Sequence, residues 1–341
     1  MATLRLSLTG PVLDADPALL RAAEILRSGG LVAFPTETVY GLGANALDAR
    51  AVERIFQAKQ RPHWDPIIVH VASLDAARQL TQLWPEAAER LAQAFWPGPL
   101  TMLLTRNEQV PLLCTAGREK VGIRWPSHPV ARALIAASGV PVAAPSANRF
   151  GHTSPTTAAH VLADLDGRIE AVLDGGPCTV GVESTVLDPT LSPPLIYRPG
   201  GTTAEQIRAL VGRVEIAERK ITDEAPPESL ESPGLGIRHY APRARVVLVE
   251  TPEELNRLLE KERHGHKTGV LLPSGWLGAK IPRDVVLLPW GNLQQPESLA
   301  RELYRALREM DRAEVEVILC PLPPAEGIGL AIRDRLSKAA K

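Results

Sequence analysis

The sequence predicts two α/β domains joined by a polar linker, and three observations carry that reading. Strand-like and helix-like segments alternate from residue 4 to about residue 212, which implies a sheet covered by helices. The stretch ERKITDEAPPESLESP at 218–233 then breaks the rhythm with charge and proline, as a connector does. Alternation resumes at residue 244 and runs to the end, long enough for a second, smaller domain. The expected divisions are 1–212, 213–243 and 244–341, and a length of 341 residues agrees with two domains.

In the first domain, 31–34, 66–71, 100–104, 121–124 and 140–143 are short β-branched or apolar runs, and each predicts a strand. Between them, 17–27, 49–59, 85–95 and 129–137 carry apolar residues at helical spacing. Gly29 and Gly30 stand where a helix ends, and Ser154 followed by Pro155 has the form of an N-cap and first-turn proline. In the second domain, strands are expected at 244–249, 268–272, 285–288 and 315–319. Helices are expected there at 252–263, 296–310 and 328–339.

Composition narrows the function. The 38 Lys+Arg against 39 Asp+Glu leave no strongly basic or acidic face for the chain as a whole, although a local groove can still be charged. Cys114, Cys178 and Cys320 are too few and too scattered for a disulfide framework or zinc ribbon, which suits a reducing cytoplasm. No signal-like start and no apolar run of membrane-spanning length is evident. A soluble cytoplasmic protein without membrane association or a metal site of its own is expected. Phosphate-loop, nucleophile-elbow and zinc-protease motifs do not occur.

Several polar clusters fall at strand or helix ends, where α/β folds place ligands. FPTETVYGLGANA (34–46) brings Thr36, Thr38 and Tyr40 to a strand end. Its Gly41 and Gly43 match a dinucleotide fingerprint only superficially, and a tight turn explains them better. FQAKQRP (56–62) ends a helix with Lys59 and Arg61. These two either converge on a polyphosphate or merely offset the helix dipole. Ser146 and Asn148 in VAAPSAN offer directional hydrogen bonds to phosphate or carboxylate oxygens, or form a turn. His70 lies inside an apolar strand, and Cys178 has no nameable catalytic partner.

Read in order, FPTETVYGLGANA, FQAKQRP, PIIVHVA, FWPGPLT, VGIRWPSHP, VAAPSAN, DGGPCTVGVESTV and YRPG resemble the YrdC-domain family from about residue 22 to 200. SPGLGIRHYAP (232–242) and GIGLAIRDR (327–335) resemble its longer two-domain members, the threonylcarbamoyl-AMP synthases. The resemblance implies a YrdC-like twisted mixed sheet with helices, then a linker and a Rossmann-like α/β domain. It also implies an activity: L-threonine and bicarbonate or CO2 form N-carboxy-threonine, which attacks the α-phosphate of ATP and releases pyrophosphate.

The same resemblance makes Lys59, Arg61, Ser146 and Asn148 the nucleotide-site signature, with Thr115, Arg198, Ser232 and Tyr240 as further ATP contacts. It places Thr36, His70, Arg124 and Ser184 at the amino acid. Mg²⁺ is expected to accompany ATP. Expected partners beyond ATP, L-threonine and bicarbonate are the downstream tRNA threonylcarbamoyl-transferase proteins and a contact with tRNA itself. The linker is expected to act as a lid, Tyr240 closing over the substrates. Two departures stand out: Leu235 and Gly236 replace the usual Met and basic residue, and Asp65 replaces a common Asn. The rival reading is a non-catalytic YrdC-like module that binds RNA, which would bind without ATP and weaken steeply with salt.

Overall fold

In the computed structural model, which describes residues 2–8, 13–217, 230–232 and 240–340, the chain divides into two units. Unit 1 comprises Met1–Phe150, Ser154–Thr179 and Glu183–Gly236, and unit 2 comprises Gly151–Thr153, Val180–Val182 and Ile237–Lys341.

Unit 1 begins with β1 (Leu4–Ser7), α1 (Pro17–Arg27), β2 (Val32–Phe34) and β3 (Gly41–Asn45). Asp16 caps α1 by accepting from Ala18 and Leu19 N–H, and Pro17 occupies its first turn. Next come α2 (Ala49–Lys59), β4 (Val69–His70), α3 (Leu74–Gln79), α4 (Glu86–Phe95), β5 (Leu100–Thr105) and β6 (Lys120–Arg124). The unit continues with α5 (Pro129–Ser138), β7 (Val142–Ala143), α6 (Ala158–Leu165), β8 (Ala171–Asp174), β9 (Thr185–Asp188), β10 (Leu195–Arg198), α7 (Ala204–Val211) and β11 (Glu215–Ile216).

Among the described residues these strands form one sheet in the order β1-β8-β2-β3-β7-β4-β6-β5-β9-β10-β11. It is mixed: β4 runs parallel to β6, whereas β7 runs antiparallel to both β3 and β4. Apolar side chains bury both faces. Ile55, Phe56, Val69, Leu91 and Ile123 belong to one core cluster. Leu19, Leu26, Val32, Leu134 and Leu173 belong to another.

Unit 2 carries β12 (Arg245–Val249), α8 (Pro252–Glu262), β13 (Thr268–Ser274), β14 (Val286–Asn292), α9 (Pro296–Arg312), β15 (Val317–Pro321) and α10 (Gly327–Ala339). Its strands are all parallel, in the order β12-β15-β13-β14. Strands such as Val317–Pro321 are buried throughout, which is why they are nearly continuous apolar runs rather than alternating ones.

Two local expectations are corrected. Gly41 and Gly43 do not form a turn but lie in β3, where a Cβ at Gly43 would stand 2.8 Å from both Phe34 Cε1 and Val142 Cγ1. The glycine is there for close packing of strands, not for backbone freedom. Ser154 does not cap a helix: Thr157 caps α6, and the Ser154 hydroxyl donates instead to Glu183 Oε1 at 2.6 Å.

Candidate active site

The end of α2 and the loop after β7 meet through Lys59. Gln60 adopts the left-handed conformation and stops the helix, so that the next residues turn back. Lys59 Nζ donates to the carbonyl oxygens of Ser146 at 2.6 Å and Asn148 at 2.5 Å, and Phe150 N–H donates back to the Lys59 carbonyl at 3.0 Å. Burial and the nearby Arg61 charge lower the Lys59 pKa well below its ordinary value. A group this enclosed does not serve as a solvated counter-charge to the helix dipole, so that reading of Lys59 falls away.

Arg61 is fixed by the turn that follows it. Its Nε donates to the Asp65 carbonyl at 3.1 Å, Nη2 to the Pro66 carbonyl at 2.6 Å, and Nη2 lies 3.0 Å from Asp65 Oδ2. Asp65 therefore gives a buried cation its counter-charge within the same turn. Thr115, also buried, sits on a single helical turn (Leu112–Thr115) and donates to the Leu112 carbonyl at 3.1 Å. Beside these elements lies an open cavity of about 690 Å³, lined by Pro62, His63, Trp64, Leu112, Leu113 and Ala116 among others.

A second cluster forms around Arg124. The register of β4 against β6 sets His70 beside Arg124. Arg124 Nη1 donates to Thr38 Oγ1 at 3.0 Å, Nε donates to the Gly98 carbonyl at 3.3 Å, and Nη2 lies 2.7 Å from Glu37 Oε1. Thr36 Oγ1 donates to the Val39 carbonyl at 2.6 Å and accepts N–H from Thr38 and Val39, shaping the loop that presents Glu37. Burial pushes the Glu37 carboxyl up, but the Arg124 charge and backbone N–H groups, including that of Ser127, outweigh it and hold the group below its ordinary value. Burial first, then the Arg124 charge, lower His70 to about 3, so its imidazole is neutral.

Ser184 precedes β9 and shares a hydrogen bond with Thr101 (Oγ to Oγ1, 2.8 Å). Arg198, at the end of β10, donates to the Ser184 carbonyl through Nε at 3.2 Å and Nη2 at 2.9 Å. Ser232 is fully buried. Tyr240 belongs to unit 2, where its ring lies 5.9 Å from that of Tyr304, with Arg335 at 5.2 Å and Lys338 at 5.8 Å from its centroid. Among the described residues, no group of three or more His, Cys, Asp or Glu is placed to hold a metal ion.

Glu37, Thr101 and Glu183 are functional candidates that the motifs did not single out, whereas Thr38 was already among the strand-end polar residues. Glu37 carried a signal, being a carboxylate between two threonines in an otherwise apolar strand-end segment. The pairing of Glu183 with Ser154 is long-range and had none.

Three comparisons bear on this geometry. A family model described as telomere recombination, covering the Sua5, YciO and YrdC proteins, matches residues 24–200. A second, the threonylcarbamoyl-AMP synthase C-terminal domain, matches residues 202–341. Threonylcarbamoyl-AMP synthase from Pyrococcus abyssi is 46% identical over 325 residues, covering 94% of this chain and 93% of the relative. The chain belongs to the threonylcarbamoyl-AMP synthase family. The synthase from Bacillus subtilis is 45% identical, with 95% of this chain and 93% of the relative covered. The crystal structure of P. abyssi Sua5 complexed with L-threonine superposes with a TM-score of 0.90 at 43% identity, spanning 99% of this chain and 98% of that one. Membership in the synthase family agrees with the mixed sheet of unit 1 and the parallel sheet of unit 2. No described helix is long and apolar enough to cross a membrane.

Proposed function

We propose that this chain is a cytoplasmic synthase that condenses L-threonine, bicarbonate or CO2, and ATP into threonylcarbamoyl-AMP and pyrophosphate. The observation that carries the site assignment is the junction of Lys59 with Ser146 and Asn148, joined through β7 and β4 to the Arg124 cluster. It ties a loop held by the Lys59 ammonium, through neighbouring strands, to a buried guanidinium suited to a carboxylate.

The chemistry assigns the roles. A carbamate oxygen of N-carboxy-threonine forms a bond to the α-phosphorus of ATP, and the bond from that phosphorus to the bridging oxygen breaks as pyrophosphate leaves. Such a transfer needs in-line positioning and neutralisation of charge on the leaving group. Lys59 uses two of its three N–H groups on carbonyls, and the third is available for a phosphate oxygen. Approach of a polyanion favours the ammonium that burial disfavours. Arg61 adds a second cation, while Ser146, Asn148, Thr115, Arg198 and the linker residues Ser232 and Tyr240 position the nucleotide. The cavity beside Trp64 and Thr115 has the apolar lining a purine needs.

Arg124 receives the threonine carboxylate, a bidentate match that Lys does not reproduce. Thr36, Ser184 and the neutral His70 supply hydrogen bonds around the amino acid, and a site built to bond its hydroxyl discriminates against valine. Mg²⁺ enters on the phosphates of ATP. The adenylate then serves the threonylcarbamoylation of an adenosine beside the tRNA anticodon, carried out by other proteins, with tRNA contact belonging to that handover.

The test is incubation of the purified protein with ATP, Mg²⁺, bicarbonate and threonine, with mass spectrometry for threonylcarbamoyl-AMP and each substrate omitted in turn. A product that requires all three substrates is expected. Folded, ATP-binding protein that makes no adenylate would return the reading to an RNA-binding module.

A further inference from the structure

The Arg124 cluster contains three buried polar atoms with no aligned hydrogen-bond partner in the protein: Arg124 Nη2, Glu37 Oε1 and His70 Nδ1. Two of them face each other. Glu37 Oε1 and Arg124 Nη2 are only 2.7 Å apart, a close charge contact in which neither atom has a further aligned hydrogen-bond partner. Two other ion pairs of unit 1 differ. Lys120 and Arg5 make aligned hydrogen bonds to Asp188 and Asp174, as pairs that only brace a fold do.

Glu37 is also held through its other oxygen and through its backbone. Its Oε2 accepts from Ser127 N–H at 3.2 Å, and its carbonyl accepts from Thr179 Oγ1 at 3.5 Å. Thr36 fixes the loop from within. The carboxylate is thus fixed through Oε2 by the Ser127 N–H, with Oε1 on the Arg124 side.

An α-amino acid is a zwitterion. A pocket offering only Arg124 satisfies the carboxylate and leaves an ammonium to be buried without a counter-charge, which is costly. Glu37 is the carboxylate in contact with the Arg124 guanidinium.

We infer that Glu37 receives the α-ammonium of the amino-acid substrate through Oε1, so that Glu37 and Arg124 together recognise the zwitterion. The inference rests on the reading of Arg124 as the carboxylate partner. It makes Glu37 a specificity residue: acids of the same shape without the amine leave its charge unpaired on the substrate side and bind poorly.

The experiment uses the full-length protein, calorimetric titration and three probes. These are L-threonine, (R)-3-hydroxybutanoate, which lacks the amine, and (R)-1-aminopropan-2-ol, which lacks the carboxylate. Wild-type protein should bind threonine at least tenfold more tightly than 3-hydroxybutanoate, on the order of one charged hydrogen bond. Glu37→Gln should weaken threonine and aminopropanol by roughly tenfold while leaving 3-hydroxybutanoate within about threefold. If Glu37→Gln weakens 3-hydroxybutanoate as much as threonine, Glu37 merely holds Arg124 and the inference fails. Equal wild-type affinity for threonine and 3-hydroxybutanoate overturns it as well, without recourse to a variant. Arg124→Gln separates the two readings. If threonine and 3-hydroxybutanoate bind it normally, the site assignment itself is wrong, whereas loss there with an unaffected Glu37→Gln refutes the role of Glu37 alone.

Discussion

Lys59 Nζ lies 2.6 Å from the carbonyl oxygen of Ser146, so the lysine at the end of α2 holds the loop that carries Ser146 and Asn148. Lys59→Met keeps most of the volume but leaves the buried Asn148 carbonyl and the part-buried Ser146 carbonyl without their donor, at a cost of about 1–3 kcal/mol for the buried one. Urea denaturation should show a loss of that order, and ATP titration a fall in affinity of tenfold or more. A destabilised variant with normal ATP affinity would confine Lys59 to a structural role.

Arg198 donates through Nε and Nη2 to the single carbonyl of Ser184, a fork that an ammonium does not copy. Arg198→Lys should therefore displace Ser184 and weaken both substrates, by roughly tenfold for each charged hydrogen bond lost. Steady-state kinetics check this: a rise in KM for ATP alone would detach Ser184 from Arg198.

Much of this was legible in the sequence because the relevant contacts are local or repeat a pattern. The helices at 17–27 and 49–59 are in place as Pro17–Arg27 and Ala49–Lys59, since capping residues and apolar spacing act within a few positions. Gly43 was misleading because its environment is non-local, built by Phe34 on one strand and Val142 on another. Ser154 likewise resembled a cap until a carboxylate 29 positions away, on Glu183, claimed its hydroxyl. Motif order nominated the candidate site residues, whereas the ties of Lys59 and Arg61 to backbone carbonyls depend on loop conformations that no spacing rule encodes.

Gly43 permits a direct check of that non-local packing. Gly43→Ala puts a methyl 2.8 Å from Phe34 Cε1 and Val142 Cγ1, and overpacking of this kind costs about 1–3 kcal/mol. Chemical denaturation should report that loss. Because β3 borders β7, which leads into the signature loop, ATP affinity should fall with it. Unchanged stability would mean that the three strands separate at no cost.

Acid sensitivity should have two stages. His70 has a folded pKa of about 3 against an ordinary 6.5, so the unfolded chain binds the proton first. Its contribution is intact above pH 6.5 and declines as pH falls toward 3. Glu37, with a folded pKa below its ordinary 4.5, contributes stability above pH 4.5 that is lost as pH falls through the folded value. Denaturation midpoints measured across pH should show His70→Gln removing the limb that starts near 6.5, and Glu37→Gln altering only the part below 4.5. A His70→Gln profile parallel to wild type would mean that His70 is not buried in the neutral form.

The described part of the linker is anchored to unit 1 by apolar contact rather than by charge. Leu230 N–H donates to the Trp64 carbonyl at 2.9 Å and its side chain is buried, whereas the Glu231–Arg118 pair at 3.2 Å leaves 46% and 36% of the two side chains exposed. Exposed pairs contribute about 1 kcal/mol at most, while a buried leucine contributes about 1.5–3 kcal/mol. Leu230→Asp should therefore undock the segment from Trp64, and Glu231→Ala should not. If the linker shields the hydrolysable adenylate from water, Leu230→Asp accumulates AMP at the expense of threonylcarbamoyl-AMP, and Glu231→Ala keeps the wild-type ratio. Chromatographic quantification of both species over time decides it: an unchanged ratio in Leu230→Asp would leave the segment as a connector with no part in protecting the product.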